Sequence, residues 1–342
     1  VYRQRIGIDL GTANTVFVVN GTEVVLDQPS VIALQATKNK QKVIAVGDAA
    51  RLMLGKTPQS IEAVSPLREG VIANFEMAER MIDAFFHVAV PVTKFFKPSV
   101  IVCVPFGATA VEKRAIQQTI LAAGAKRVGL IEEPMAAAIG ANLPVFSPQG
   151  SMIVDIGGGT TEVAILSLGG IVCASSLRLG GHHFDRIIAD TVRKKRELIV
   201  GLPTAERIKL EVVTAAEDLD ENPEAVRSMQ INGIGSRNGM PKSVTVTSDH
   251  FKSSIASLTS TIESEIRSVL DKAPPDLAAD IYVAGITLTG GGALLRDLPR
   301  VLSARLGITV SIAENPRYSV ALGAGLAADS EKRFSHCIQY AI

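Results

Sequence analysis

With 342 residues and a formal net charge of +1, the chain is long enough for two cores of ordinary size and lacks the basic excess that grips nucleic acid. Hydrophobic residues at 47% and charged residues at 20% give a globular composition and exclude wholesale disorder. Cys103, Cys173 and Cys337 are too scattered for a disulfide framework or a zinc site, no apolar run reaches the roughly 18 residues of a spanning helix, and VYRQRIGIDL is no signal peptide, so a reduced cytoplasm is expected.

The chain opens on Val1 rather than Met, so a short native N-terminus is expected to precede it. Residues 6–34 alternate apolar runs with turn residues, RIGIDL, GTANT and VFVVNGTEVVL, and Asn20-Gly21 is a two-residue hairpin signal. This stretch reads as a β-meander. Residues 74–90 place apolar side chains at helical spacing, VPVTKFFKP follows as a loop, and SVIVCVP reads as a buried strand. Gly107 to Ala123 reads as a helix and VGLIEE as the next strand. Pro134 then takes the first position of a new helix, where its missing N–H costs nothing.

SMIVDIGGGTTEVAILSLGGIVCASSLRLGG repeats the meander pattern. Helices are expected from Phe184 to about Glu197, from Thr204 to Thr214 and over about Asp249–Lys272, where Pro274-Pro275 break the last. QINGIGSRNGMPKSVTVT between them reads as a hairpin, and ITLTGGGALL as strand, glycine turn and helix. The order is a meander followed by α/β units, twice.

The repeat carries the chemistry. IDLGTANT and VDIGGGTT each end an apolar run in Asp, an apolar residue and Gly, and continue in small and hydroxyl residues. A glycine-rich turn lets backbone N–H groups approach a phosphate with no Cβ in the way. An Asp at the strand end suits a hydrated Mg²⁺, which keeps much of its water shell. One such turn is usually an ordinary hairpin, but a matched pair opening two similar meanders could clamp a polyphosphate from both sides. Thr289-Gly290-Gly291-Gly292-Ala293 could bring further amides and a helix N-terminus toward an anion or ribose. It is neither a P-loop nor a full Rossmann fingerprint.

The ordered set IDLGTANT, IEEPMAAAIGA, VDIGGGTTEVA, TAERIK and LTGGGALL resembles the actin/sugar-kinase/heat-shock ATPase superfamily, and within it the MreB family of bacterial actins. The resemblance runs from Ile6 to about Leu326 and takes in DQPSVIAL, GVIANFE and APPDLAADI. It implies an α/β actin-like ATPase fold of two related domains, each with a larger core subdomain and a smaller one, around a nucleotide cleft. Domain I would span 1–147 plus 315–342, with its small subdomain at about 31–70. Domain II would span 148–314, with its small subdomain at about 182–248.

The resemblance also implies site roles. Asp9 and Asp155 would govern hydrated Mg²⁺, while Gly11, Thr12, Ala13 and Asn14 would form one phosphate loop and Gly157, Gly158, Gly159, Thr160 and Thr161 the other. Glu206 and Lys209 would line the nucleoside pocket of ATP with Gly290, Gly291, Gly292 and Ala293. Glu133 would orient or polarise the attacking water, with Thr160 helping to place it; a carboxylate at a strand end beside a helix start suits that role independently. The protein would hydrolyse ATP, self-assemble into filaments, lie in the cytoplasm against the inner face of the membrane, and organise the cell-wall elongation machinery of rod-shaped bacteria. A small-molecule kinase of the superfamily is the alternative, but no additional acid stands in a phosphate loop to serve an acceptor hydroxyl. A heat-shock chaperone would need a peptide-binding domain for which this length leaves no room.

Some features carry two readings. Phe95 and Phe96, between Lys94 and Lys97, either start the core or form a membrane finger, apolar rings in the interface and lysines on anionic head groups; the resemblance favours the finger. Arg193 to Arg196 reads as a solvated helix face. His182-His183 stand where the family pattern usually has an acid directly after the glycines, and they read as cleft-edge residues that bear on exchange or hydrolysis rate. AEDLDENPEAV at 216–226 reads as a mobile surface segment of the small subdomain.

Overall fold

The computed structural model describes residues 5–36, 41–90, 97–216 and 226–340; Phe95, Phe96 and residues 217–225 of the acidic stretch lie outside them. The first meander forms β1 (Arg5–Leu10), β2 (Asn14–Val19) and β3 (Glu23–Pro29). Val19 pairs with Glu23, so the turn holds three residues rather than two, with Asn20 and Gly21 both at positive φ and a bulge between Phe17 and Val18. A small sheet then groups β4 (Ile32–Ala36), β5 (Gln41–Val46) and, after α1 (Asp48–Arg51), β6 (Ile61–Val64). The pair β7 (Leu67–Arg68) and β8 (Val71–Ile72) follows.

Next come α2 (Phe75–Ala89), β9 (Ser99–Val104), α3 (Ala110–Ala122), β10 (Arg127–Glu132) and α4 (Glu133–Gly140). Asn74 caps α2, and a Thr109–Glu112 capping box starts α3. The second half opens with β11 (Ser151–Ile156), β12 (Thr161–Ser167) and β13 (Gly170–Leu177), then α5 (Gly181–Arg196), β14 (Leu198–Ile199) and α6 (Leu202–Glu211). The expected hairpin is β15 (Ser228–Gly235) with β16 (Pro241–Thr247). The chain continues with α7 (Lys252–Leu270), α8 (Pro275–Ala284), β17 (Ile286–Thr289), α9 (Leu298–Leu306), β18 (Val310–Ile312), α10 (Ser319–Asp329) and β19 (Gln339–Tyr340).

The two large sheets share one plan. The first runs β19-β10-β9-β1-β2-β3 and the second β13-β12-β11-β17-β18. In each, an antiparallel meander is followed by two strands parallel to its first member, β9 and β10 beside β1, β17 and β18 beside β11. The repeated aspartate turns therefore occupy matched places in two matched sheets.

Burial explains the apolar runs. Val100, Val102 and Val104 of β9 join the outer core of the first half with α2 and α3, while Ile101 and Cys103 join an inner core; a strand covered on both faces reads as continuous hydrophobe. The inner core is common to both halves. It unites Met135 to Ile139 of α4 and Val320, Ala324, Ala327 and Ala328 of α10 with Ile153 of β11 and Ala164 and Leu166 of β12. Small residues allow this close approach: a Cβ on Gly140 would lie 1.8 Å from the Ser319 carbonyl oxygen, and one on Gly323 would lie 1.8 Å from that of Ala136.

Candidate functional site

Strand alternation aims the site. Ile6, Ile8 and Leu10 of β1 enter the outer core, so Asp9 lies on the opposite, inner face. Met152, Val154 and Ile156 of β11 enter the outer core of the second half, which leaves Ile153 and Asp155 on its inner face. The two aspartates thus project from two sheets toward the space between them.

The turns after them are built alike. The Gly157 N–H donates to the Thr160 carbonyl at 2.9 Å, and in the first turn a Cβ on Gly11 would lie 2.7 Å from the Asn14 carbonyl oxygen. The turns also touch. A Cβ on Gly158 would meet that of Ala13 at 2.7 Å, and one on Gly159 would meet Thr12 Oγ1 at 2.8 Å, so only glycine fits this seam. Among the described residues, the amides of Thr12, Ala13, Gly158 and Gly159 donate to no backbone acceptor, which leaves four adjacent donors.

Several hydroxyls and amides named from the sequence hold the turns in place. Thr12 Oγ1 accepts the Gly70 N–H at 2.9 Å, Thr161 donates to the Leu179 carbonyl at 2.6 Å, and the Asn14 amide donates to Asp27. Asp27 is held in turn by Arg317 at 3.1 Å and the Tyr318 hydroxyl at 3.0 Å. Ser30 donates to the Gly11 carbonyl at 2.6 Å, a supporting role that the DQPS motif did not disclose.

Four carboxyls gather on the inner side. Burial, then Asp155 and then Asp27 raise Asp9 to about 7, and burial alone raises Asp155 to about 7. Glu133, the first residue of α4, is pushed well above the carboxylate range by burial, then by Glu162, Asp9 and Asp155. Pro134 therefore sits at the second helical position, not the first. Glu162, cross-strand partner of Asp155 and only 1% exposed, is raised to about 8 by burial and Asp155 against the pull of its hydrogen bonds. Nothing in the sequence reading singled it out; the signal was an acid alternating onto the buried face of a strand.

The donor set fits a hydrated cation. Asp155 Oδ1 is buried and unpaired, and a Cβ on Gly290, whose φ is +80°, would lie 2.4 Å from it. Among the described residues no group of three or more His, Cys, Asp or Glu side chains stands at direct-ligand spacing. A pair of carboxylates with an open oxygen suits magnesium held through water.

The third glycine element differs from expectation. Gly291–Leu294 is a 3₁₀ turn, α9 begins only at Leu298, and the Gly290 amide donates to the Pro316 carbonyl at 2.8 Å. The helix that starts at the glycines is thus one short 3₁₀ turn and not an α-helix, and α9 has its own N-cap at Asp297, in the left-handed region. Gly291 has open space where a Cβ would stand, whereas Gly292 packs on Ile156 and Ala293 is buried.

Glu206 and Lys209 lie three residues apart on α6 and turn to different partners. Lys209 Nζ stands 2.8 Å from Asp185 Oδ1 and donates to the Gly181 carbonyl at 3.1 Å, which pins α6 to the start of α5. Glu206 forms an ion pair with Arg51 of α1, from the small sheet region of the other half. Arg178 pairs with Glu69 at 3.5 Å, a second link between the halves. The His182 N–H donates to the Gly158 carbonyl at 2.9 Å, and burial and then Lys209 hold its imidazole below the usual range. It sits at the edge of the second turn.

The family described as MreB/Mbl protein matches residues 3–336. The cell shape-determining protein MreB of Pasteurella multocida is 46% identical over 333 residues, 96% of this chain and 94% of that protein. The cell shape-determining protein Mbl of Bacillus subtilis is 41% identical over 330 residues, 96% of this chain and 97% of that protein. The crystal structure of MreB5 of Spiroplasma citri bound to AMPPNP superimposes with a TM-score of 0.90 at 34% identity, covering 98% of this chain and 99% of that one.

Proposed function

Because this chain belongs to the MreB/Mbl family of actin-like proteins, we propose that it is a cytoskeletal ATPase that assembles into membrane-associated filaments and directs cell-wall elongation in rod-shaped cells. The observation that carries the nucleotide reading is the pair of touching aspartate turns with four unspent amides. We assign domain I to 1–147 with 315–342 and domain II to 148–314, the cleft lying between them. A relative's structure holds AMPPNP, which supports the same ligand class here.

In this reading the amides of Thr12, Ala13, Gly158 and Gly159 bind the phosphates, and Asp9 and Asp155 hold Mg²⁺ through its water. The cation supplies charge neutralisation at the leaving phosphate. Glu133, a carboxyl at the end of β10 where α4 begins, orients the attacking water, with Thr160 of the second turn helping to place it. Glu206 and Lys209 bound the nucleoside side, so the Arg51–Glu206 pair opens or rearranges as nucleotide enters.

No helix among the described residues is long and apolar enough to cross a membrane. We assign membrane attachment to Phe95-Phe96 on the sequence reading alone, two aromatic residues between Lys94 and Lys97. A small-molecule kinase is not favoured, since relatives at 46% and 41% identity are cell shape-determining proteins. Sedimentation with and without Mg-ATP, repeated with anionic liposomes, tests the proposal. Polymer that pellets only with nucleotide and floats with liposomes is expected; a protein that stays monomeric and phosphorylates a small molecule refutes it.

A further inference from the structure

Glu162 is a buried acid that the fold does not require. The matched sheets place it opposite Asp155 as they place Val16 opposite Asp9, and Val16 is a core residue. One plan thus accepts a hydrophobe in the first half and carries a carboxylate in the second. Burying a carboxylate is costly unless its oxygens are used.

One oxygen is used. Glu162 Oε1 accepts the Phe106 N–H at 3.0 Å and the Ser176 hydroxyl at 3.2 Å. Phe106 follows β9 in the first half, while Ser176 lies on β13 in the second, so this oxygen is anchored from both sides of the cleft. The other oxygen, Oε2, is buried and has no partner. Glu133 begins α4, which packs on β11 and β12, the strands that carry Asp155 and Glu162.

A water aimed at phosphorus turns a lone pair toward it, so both its hydrogens point away and each wants an acceptor. Glu133 provides one. Resting on the ATPase reading above, we propose that Glu162 is a positioning residue of the hydrolytic site, its free Oε2 accepting the second hydrogen of the water that Glu133 orients. The water oxygen forms the new bond to the γ-phosphorus as the bond to the ADP oxygen breaks. One proton passes to Glu133 and the other stays on the phosphate formed. As a carboxylate, Glu162 offers acceptor capacity at Oε2 while Oε1 stays anchored.

Substitution by Gln separates this role from a structural one. The amide oxygen can still accept from Phe106 and Ser176, but the NH₂ then replaces Oε2 and presents hydrogens where an acceptor is needed. Nucleotide affinity, melting temperature and single-turnover phosphate release are measured for wild type, Glu162→Gln and Glu162→Ala. We expect Glu162→Gln to bind Mg-ATP within about threefold of wild type and to release phosphate at least about tenfold more slowly. Normal release by Glu162→Gln overturns this inference alone, as does a loss of affinity that matches the loss of rate. A wild-type protein that binds ATP without releasing phosphate overturns the ATPase reading and this inference together. Should Glu162→Gln fail to fold, Ser176→Ala loosens the anchor of Oε1 and should slow release a few-fold at unchanged affinity; unchanged release then overturns the proposal.

Discussion

Replacing Asp155 by Asn should stabilise the nucleotide-free protein while abolishing its response to Mg-ATP. The Asp155 carboxyl titrates at about 7 in the folded state because burial disfavours its charge, against 3.8 for an ordinary Asp. Between those values the folded state binds more protons than the unfolded chain, so stability falls as pH rises through the window. The contribution is intact below 3.8 and fully lost above 7. At pH 8 an ionised Asp155 therefore costs the folded state at most about 4 kcal/mol. Asn has nearly the same shape and no charge. In EDTA at pH 8 its melting temperature should exceed wild type by several degrees, at roughly 2 °C per kcal/mol for a chain of this size. The advantage should shrink steadily toward pH 4. Mg-ATP at a hundredfold excess over its dissociation constant should stabilise wild type by about 2.7 kcal/mol and the variant hardly at all. Calorimetric or fluorescence melts across pH 4–8 read both effects. A variant no more stable than wild type at pH 8, or one whose advantage ignores pH, refutes the reasoning about buried charge; a variant still stabilised by Mg-ATP removes Asp155 from the site.

Glu133→Ala should retain nucleotide and slow phosphate release by about 10²–10⁴-fold, the usual loss for a positioned acid or base; a parallel loss of binding in calorimetry would make Glu133 structural. Gly323→Ala should destabilise by about 1–3 kcal/mol or more, since its Cβ would stand 1.8 Å from the Ala136 carbonyl oxygen and must push α10 from α4; an unchanged denaturation midpoint would contradict the packing. Phe95→Ser with Phe96→Ser should leave nucleotide-dependent sedimentation intact and abolish liposome flotation, because two interfacial rings contribute about 1.5–3 kcal/mol each when fully buried and filaments multiply the gain. Flotation that persists in the double variant would place the anchor elsewhere.

Much of this architecture was legible because periodicity and repetition are local properties of the text. The double meander, the strand SVIVCVP and the hairpin over 228–247 follow from alternation, turn residues and apolar runs. The register was harder. Asn20-Gly21 suggests a two-residue turn, yet the bulge at Phe17/Val18 adds a residue that no dipeptide signal encodes. After Pro274-Pro275 the chain starts α8 at Pro275, since proline both ends one helix and opens another. At the site, the aspartates and glycines could be named because small-residue turns after a strand are conspicuous. Asp27, Ser30 and Glu162 could not, because their roles depend on partners distant in sequence: Arg317 for Asp27, Gly11 for Ser30, and Phe106 for Glu162. ITLTGGGALL suggested a strand, a glycine turn and a helix, and the helix that begins there is a single 3₁₀ turn, with α9 starting only at Leu298.

The unequal fastening of the two halves has a mechanical consequence. Their base is one continuous apolar body through α4 and α10, whereas the ion pairs between them, Arg51–Glu206 and Arg178–Glu69, join part-exposed or exposed side chains. Pairs of that kind contribute at most about 1 kcal/mol each and weaken with salt. Such a body bends like tweezers, stiff at the joined end and compliant at the tips. If the tips part, the angle between them would be set by a bound polyphosphate and adjusted by electrolyte. In the proposed filament, a subunit whose outline followed its cargo would offer its neighbours a different profile in each chemical state, and lattice growth would read out that state.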